Sequence, residues 1–142
     1  MNQGAGHRIE TMMDQNEIAA LGASLRQIEL MKPVKESFTR VWYQGGESYF
    51  DVFVDFLQGK IEWFQFTLRG QTLSWKPQNS GWQTGRTNEW RSDDMTFYSG
   101  NKIIDIDKEP NLEFIELARS ILQTRGDEEI FDQILALFDN QN

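Results

Sequence analysis

The sequence contains no cysteine and a single histidine, His7, and these two scarcities exclude several kinds of chemistry. Without cysteine there is no disulfide, no thiolate nucleophile and no cysteine-ligated metal or iron–sulfur site. One histidine near the start of the chain argues against a catalytic triad, a His–Cys dyad and a histidine metal cluster. An enzyme built from this chain would have to use carboxylates, lysine or hydroxyl groups. We expect no metal and no cofactor.

Long apolar runs are also missing. No stretch approaches the ~20 apolar residues that a membrane-spanning helix needs, and residues 1–14 (MNQGAGHRIETMMD) lack the apolar region of a secretory signal. The absence of cysteine fits a reducing compartment. The sequence therefore predicts an unexported, cytoplasmic protein without a membrane partner.

Basic residues are scarce, and they are unevenly placed in a chain of net charge −8. Residues 60–102 carry six Lys/Arg and four Asp/Glu, whereas residues 103–142 carry three and ten. Nucleic-acid binding needs a basic face, and the acidic ends of the chain argue against one. We expect no nucleic-acid partner, and we place any anionic partner in the middle third.

The bulk composition is that of one globular domain. The chain has 142 residues, 39% of them hydrophobic and 25% charged, which suffices for a core without disulfides. We expect residues 14–142 to form a single domain and residues 1–13 to be a disordered terminus.

A helix is predicted near the start of the chain. Asp14 and Glu17 have the spacing of an N-terminal capping pair, and Pro33 stops the helix. Apolar residues recur at helical spacing between these limits: Ile18, Leu21, Leu25, Ile28 and Met31.

Strand-like segments follow. Four of them are rich in aromatic and β-branched residues: Phe38–Tyr43, Tyr49–Leu57, Ile61–Leu68 and Gln71–Lys76. The breaks between them, at Gly45-Gly46, Gln58-Gly59 and Arg69-Gly70, are short and contain glycine, which is typical of antiparallel hairpins. They predict a meander, in which each strand pairs with the next.

The rest of the chain is predicted to be a long loop followed by two helices. Residues 77–102 are polar and rich in glycine, and two short strands are predicted at Met95–Tyr98 and Ile103–Ile106. Pro110 opens a helix that runs to about Thr124, and Asp127 caps a second one. The sequence therefore predicts an α+β fold: an N-terminal helix, a four- to six-stranded antiparallel meander sheet and a C-terminal αα-hairpin packed on the sheet.

The aromatic residues of the predicted hairpin raise the question of core or binding surface. A two-residue turn at Gln58-Gly59 pairs Leu57 with Lys60 and, in a regular ladder, Val54 with Trp63 and Phe53 with Phe64. This register distributes apolar side chains over both faces of the sheet. One face carries Phe50, Val52, Val54, Phe56, Ile61 and Trp63. The other carries Phe53, Phe64, Phe66, Leu68, Leu73 and Trp75.

If both faces of the sheet are apolar, another part of the protein or a partner must pack against each of them. The tail helices can cover one, and the N-terminal helix, a subunit partner or residues 77–102 would cover the other. We interpret most of the rings as core, because aromatic side chains supply large buried areas. An apolar face left over predicts a homodimer or a protein partner.

Three carboxylates share a face in this register: Asp51, Asp55 and Glu62, with Asp55 opposite Glu62. Like charges at that distance raise one pKa and could form an acid/base pair or a cation site. The alternative is that these carboxylates are solvated at the sheet surface.

The segment GWQTGRTNEWR, residues 81–91, is the strongest candidate binding site. Its candidate residues are Trp82, Thr84, Arg86, Asn88, Trp90 and Arg91. Arginine binds a carboxylate or phosphate bidentately, and tryptophan can stack beside it. The alternative is that the tryptophans close the end of the sheet and the arginines pair with the acidic tail helices.

Three functions follow from these observations. The leading hypothesis is a non-catalytic, accessory protein-binding protein that acts through the apolar sheet face and residues 81–91. The alternative is a binding or sensor module for a small anionic ligand. The third is an enzyme that uses Asp51, Asp55 or Glu62.

Overall fold

The computed structural model describes residues 13–28, 38–78, 81–87 and 104–139. These ranges contain three helices, α1 Gln15–Ser24, α2 Leu112–Gln123 and α3 Glu129–Asp139. They also contain seven strands: β1 Arg26–Ile28, β2 Phe38–Gln44, β3 Asp51–Leu57, β4 Lys60–Leu68, β5 Gln71–Trp75, β6 Gln83–Thr87 and β7 Ile104–Ile106. The predicted α+β fold is confirmed, with one strand more than the predicted maximum.

Some predictions fall outside the described residues. They include residues 1–12 of the terminus 1–13 that is predicted to be disordered, the helical position of Met31 and the strand at Met95–Tyr98. In the part of the chain that is described, no helix is long and apolar enough to cross a membrane.

The strands form one antiparallel sheet in the sequential order β1-β2-β3-β4-β5-β6-β7. Gln58 and Gly59 have φ angles of 54° and 81°, and Arg69 and Gly70 have 51° and 83°. Positive φ at both central residues is characteristic of the tight turns whose twist matches that of a hairpin. The two glycine-containing breaks therefore make the predicted turns.

The β3–β4 hairpin contains an irregularity just beyond its turn. Leu57 pairs with Lys60 as predicted, but the register shifts next to Asp55, which pairs with Trp63. Glu62 is therefore the extra residue of a β-bulge on β4, and one added residue reverses the alternation of every side chain that follows it.

The predicted pairing beyond the bulge is wrong for this reason. Val54 pairs with Phe64 rather than with Trp63, and Phe53 pairs with Gln65 rather than with Phe64. The shift of one residue moves Phe64 to the same face as Val54 and moves Trp63 to the face of Phe53.

One face of the sheet, not two, therefore carries the core. Its buried residues are Val41, Tyr43, Val52, Val54, Phe64, Phe66, Leu68 and Leu73. We call the opposite side, which carries Arg40, Trp42, Phe53, Asp55 and Trp63, the outer face. The predicted distribution of side chains over the two faces is wrong, because it ignored the bulge: of the twelve residues predicted on the two faces, Phe53 and Trp63 now share the outer face.

All three helices belong to one layer on the core face. They contribute Ile18 and Leu21 from α1, Phe114, Ala118, Ile121 and Leu122 from α2, and Phe131 and Ile134 from α3. Helix α1 lies so close to the end of α2 that a Cβ on Gly22 would be 1.8 Å from Thr124 Oγ1. The C-terminal αα-hairpin packs on the sheet as predicted, and the N-terminal helix joins it.

Helix α1 is shorter than predicted. It ends at Ser24, and Leu25 is already extended, so that residues 26–28 form β1 instead of another helical turn. The Ser24 hydroxyl donates to the Leu21 carbonyl at 2.7 Å and accepts the Gly46 N–H at 2.9 Å, which ties the helix end to the β2–β3 loop. Pairing of β1 with β2 replaces the helical turn that the apolar spacing predicted.

Two further boundaries differ from prediction. Asn111, rather than Pro110, precedes the first turn of α2, because its side-chain Oδ1 accepts the Phe114 N–H at 3.1 Å. Strand β6 lies in the segment predicted to be a loop. The central Gly85 and its polar neighbours have low β-propensity, so the sequence does not indicate a strand here. Pairing with β5 makes this segment a strand.

Candidate functional site

The described residues include three of the six predicted binding residues: Trp82, Thr84 and Arg86. The other three lie outside the described residues: Asn88, Trp90 and Arg91.

Trp82 packs against the hydrophobic core. Its ring stacks on Phe138 of α3, with ring centres 4.4 Å apart and planes at 27°. Phe64 of β4 meets the same ring edge-on at 5.9 Å. This arrangement matches the packing alternative, in which the tryptophan closes the end of the core.

Thr84 is buried and links the sheet to the start of α2. Its hydroxyl donates to Asp107 Oδ2 at 2.7 Å and accepts the Asn111 N–H at 2.8 Å. Asn111 also donates through Nδ2 to Gln71 Oε1 at 3.3 Å. Because Thr84 is only 2% exposed and both of its contacts are internal, it positions α2 and does not face a ligand.

Arg86 is the predicted residue that faces open space. It is exposed on the helix side of β6, between Gln71 of β5 and Asp105 of β7 in the strand register. Its guanidinium makes no ion pair or hydrogen bond with any residue of the described ranges. Arg86 borders a cleft of about 370 Å³ between the sheet, the start of α2 and Met13, two residues before α1.

The lining of the cleft is partly apolar and partly polar. The apolar lining residues are Met13, Leu68, Phe114 and Leu117. The polar lining residues are Arg69, Gln71, Arg86, Asn111 and Glu113. Such a mixture is typical of small-molecule sites, where apolar surface supplies contact area and a few polar groups fix orientation.

The second arginine of the cleft, Arg69, is already compensated. Its Nε and Nη2 each lie 2.8 Å from a carboxylate oxygen of Glu47, and Nη2 is 3.4 Å from Glu17 of α1. The hydrogen bonds to Glu47 raise the pKa of Arg69, and the same contact lowers the pKa of Glu47. Of these two arginines, only Arg86 has a charge without a partner in the described residues.

A second cluster, on the outer face, was not predicted. Arg40 makes a bidentate ion pair with Asp55, with Nε–Oδ1 at 2.7 Å and Nη2–Oδ2 at 2.9 Å, and this contact raises the pKa of Arg40. The guanidinium lies 5.9 Å from the Phe53 ring centre and 5.4 Å from that of Trp63. Trp42 stacks on Phe53 at 5.5 Å. We call Arg40, Trp42, Phe53, Asp55 and Trp63 the outer-face cluster.

The signal for this cluster was present but incomplete. Arg40 and Trp42 alternate on β2, and Phe53 and Asp55 alternate on β3, which places each pair on one face. Trp63 joins them only because of the bulge, which the sequence does not mark.

The carboxylates considered for catalysis do not form an acid pair. Asp55 is bound by Arg40, and Asp51 Oδ1 accepts Trp42 Nε1–H at 3.0 Å. Glu62 is the bulge residue, so the predicted opposition of Asp55 and Glu62 is wrong. Within the described ranges, no three His, Cys, Asp or Glu side chains form a metal site.

No protein-family model, curated protein or solved structure matches the chain. A function is therefore inferred from the side chains themselves. Two sites stand out: a cleft with one uncompensated arginine, and an aromatic cluster whose arginine is already paired.

Proposed function

We propose that this protein is a non-catalytic binding protein that holds a small anionic ligand in the cleft at Arg86. The observation that carries the proposal is the guanidinium of Arg86, which has no partner in the described residues and borders a cleft. Four other arginines form ion pairs with carboxylates: Arg40, Arg69, Arg119 and Arg125. Arg26 and Arg86 have no carboxylate partner in the described residues, and of these two only Arg86 borders the cleft.

The neighbours of Arg86 suit an anion. A guanidinium binds a carboxylate or phosphate through two parallel hydrogen bonds. Gln71 lies opposite Arg86 across the β5–β6 pair. Because Asn111 Nδ2 occupies Gln71 Oε1, the Nε2 hydrogens of Gln71 remain as donors for a ligand.

Binding rather than catalysis follows from the same lining. Among the described residues that line the cleft there is no histidine and a single carboxylate, that of Glu113, so this part of the lining holds no nucleophile paired with a base.

Thermal unfolding tests this proposal. Carboxylates and phosphates, compared at constant ionic strength against chloride, should include at least one anion that raises Tm saturably. Arg86→Met should abolish that increase, whereas Arg26→Met, which removes an exposed arginine of β1 outside the cleft, should retain it. An increase that survives in Arg86→Met, or no increase with any anion, would contradict the proposal.

A second candidate function is protein binding, which the sequence analysis placed on the apolar sheet face and residues 81–91. That face packs under the helices, so the outer-face cluster takes its place as the candidate interface. Trp42 and Trp63 are half-buried, and the Arg40 side chain is 51% exposed. Tryptophan and arginine are the residues that most often dominate interface energetics. The partner in this candidate is a second copy of the chain or another cytoplasmic protein.

Sedimentation analysis tests the homodimer. A dimer has twice the 16.6 kDa mass of the chain, and Trp63→Ala should shift it toward monomer. Gln133→Ala, which changes an exposed residue of α3 on the helix side of the sheet, should leave the mass unchanged. A monomer at all concentrations, with no partner recovered, would remove this candidate.

A further inference from the structure

We infer that the ligand of the cleft at Arg86 is an amphipathic monoanion, a single carboxylate joined to an apolar body. This inference rests on the proposed function and names its ligand class. A cross-strand row of side chains carries it: Leu68 of β4 is opposite Gln71 of β5, which is opposite Arg86 of β6. The row passes from apolar to amide to cation along one wall of the cleft.

The charged end of the row can hold one carboxylate. Side chains directly opposite in an antiparallel pair have Cβ atoms roughly 5 Å apart, so Arg86 and Gln71 can reach the same two oxygens. Arg86 would donate two hydrogen bonds and the Gln71 amide a third.

The charge balance of the cleft limits the ligand to one negative charge. Arg69 is neutralised by Glu47 and Glu17, so it adds little attraction. Glu113 lies in the first turn of α2 and offsets the positive end of that helix. Asp105, the cross-strand neighbour of Arg86, adds a further negative charge nearby. A second charge on the ligand would meet these carboxylates.

The apolar part of the lining requires an apolar body in the ligand. Leu68 and Phe114 belong to the hydrophobic core, at 1% and 4% exposure, and half-buried Met13 and Leu117 extend the same surface into the cleft. A fully hydrated anion such as inorganic phosphate would leave this apolar surface exposed to water. The volume of about 370 Å³ lies at the lower end of the range of about 300–1,000 Å³ for small-molecule sites.

Isothermal titration calorimetry with a series of carboxylates tests the inference. The probes are acetate, butanoate, hexanoate and octanoate, with inorganic phosphate, 1-hexanol and octanedioate as comparisons. Affinity should rise along the series by roughly tenfold for every two methylenes buried. Hexanol lacks the charge and octanedioate has one charge too many, so both should bind more weakly than the monocarboxylate of equal length.

Two variants separate the charged and the apolar contacts. Arg86→Met should weaken octanoate binding by about tenfold or more. Leu117→Ala should weaken octanoate and leave acetate unchanged. The matched control is Leu137→Ala, a half-buried leucine of α3 outside the cleft, which should change neither. Circular dichroism checks that each variant is folded. If a variant is not folded, the titrations of the unaltered protein with the carboxylate series decide the result.

The outcomes distinguish the inference from the proposed function. An affinity that rises with the length of the carboxylate and falls in Arg86→Met supports both the inference and the proposed function. If acetate, phosphate or octanedioate binds as tightly as octanoate and Arg86→Met abolishes the binding, the amphipathic monoanion is wrong and the anion site stands. If octanoate binds Arg86→Met as tightly as it binds the unaltered protein, or if none of the anions binds, both are wrong.

Discussion

Arg40 and Arg86 both lie on strands of the sheet and both extend toward its surface, yet their neighbours differ. Arg40 is bound bidentately by Asp55, which is only 5% exposed, and it lies over two aromatic rings. Arg86 has no such partner in the described residues. At the scale of the residue, Arg40 therefore stabilises the fold, whereas Arg86 is available to a ligand.

Replacing each arginine by methionine separates these roles. Arg40→Met should lower the free energy of unfolding by about 1–3 kcal/mol, because it leaves the Asp55 carboxylate buried without its partner. Arg86→Met should change it by less than about 0.5 kcal/mol. Urea unfolding followed by circular dichroism measures both. Equal losses in the two variants would contradict the distinction, and Asp55→Asn combined with Arg40→Met should recover part of the first loss.

Arg125 provides a second test among single residues. Its Nη1 donates to the carbonyls of Gly22 and Leu25 at 2.8 and 2.7 Å, and its other nitrogens bind Glu128. Arg125→Met should lower the free energy of unfolding by about 2 kcal/mol, since two carbonyls at the end of α1 lose a charged donor. Glu128→Gln keeps those two bonds and should cost less. A larger loss in Glu128→Gln would contradict the assigned role of Arg125.

At the scale of elements, the sequence predicts turns better than register. Gln58-Gly59 and Arg69-Gly70 mark the turns of the β3–β4 and β4–β5 hairpins, because their glycines allow the positive φ that a tight turn requires. The bulge at Glu62 has no comparable residue marker, so the faces beyond it were predicted incorrectly. Strand β6 is not predicted from the sequence, because its pairing with β5, rather than its own composition, makes it a strand.

Deleting the bulge residue tests its part in the register. Without Glu62, Ile61 and Trp63 would follow each other in a regular ladder, with every later side chain on its present face. The deletion should therefore change the free energy of unfolding by no more than about 1 kcal/mol.

Deletion of Gln65 is the matched control. Shortening β4 there forces a register that brings Trp63 into the core and turns Phe64 out, which should cost several kcal/mol, on the order of a large core truncation. Urea unfolding of the two deletions gives the comparison. Equal destabilisation by the two deletions would contradict the assigned bulge.

The candidate site could be predicted only in part. Arg86 was found because arginine beside tryptophan in a polar segment resembles a binding loop. The cleft that it borders depends on Met13 and Glu113, which lie far away in sequence and are brought near by helix packing. Trp82 and Thr84 were grouped with Arg86, but their contacts are with the core and with α2. Composition alone does not distinguish a residue that faces a cleft from one that packs in the core or holds a helix.

At the scale of the whole molecule, acidity is the main electrostatic feature. Ion pairs with Arg69 and Arg125 hold the pKa values of Glu47 and Glu128 below the ordinary glutamate range. A lowered folded-state pKa means that the unfolded chain takes up protons first as the pH falls. The stability from these pairs is therefore complete above the unfolded pKa of about 4.3 and is lost as the pH falls through the folded values.

Unfolding midpoints at several pH values check this dependence. Between about pH 7 and pH 5, these two pairs should contribute no change, and below about pH 4.3 stability should decline. Glu47→Gln removes one titrating group and should make the decline shallower, by a modest amount because the side chain is 35% exposed. An unchanged acid limb in Glu47→Gln would contradict the assigned contribution.

The central claim is that the Arg86 guanidinium receives an anion, and nuclear magnetic resonance of the arginine side chains tests it most directly. Octanoate is titrated into ¹⁵N-labelled protein, and the Nε–H resonance of Arg86 is identified by its loss in Arg86→Met. We predict a saturable shift of that resonance, with the resonance of Arg26 unchanged. No shift at Arg86, or equal shifts at both arginines, would contradict the claim.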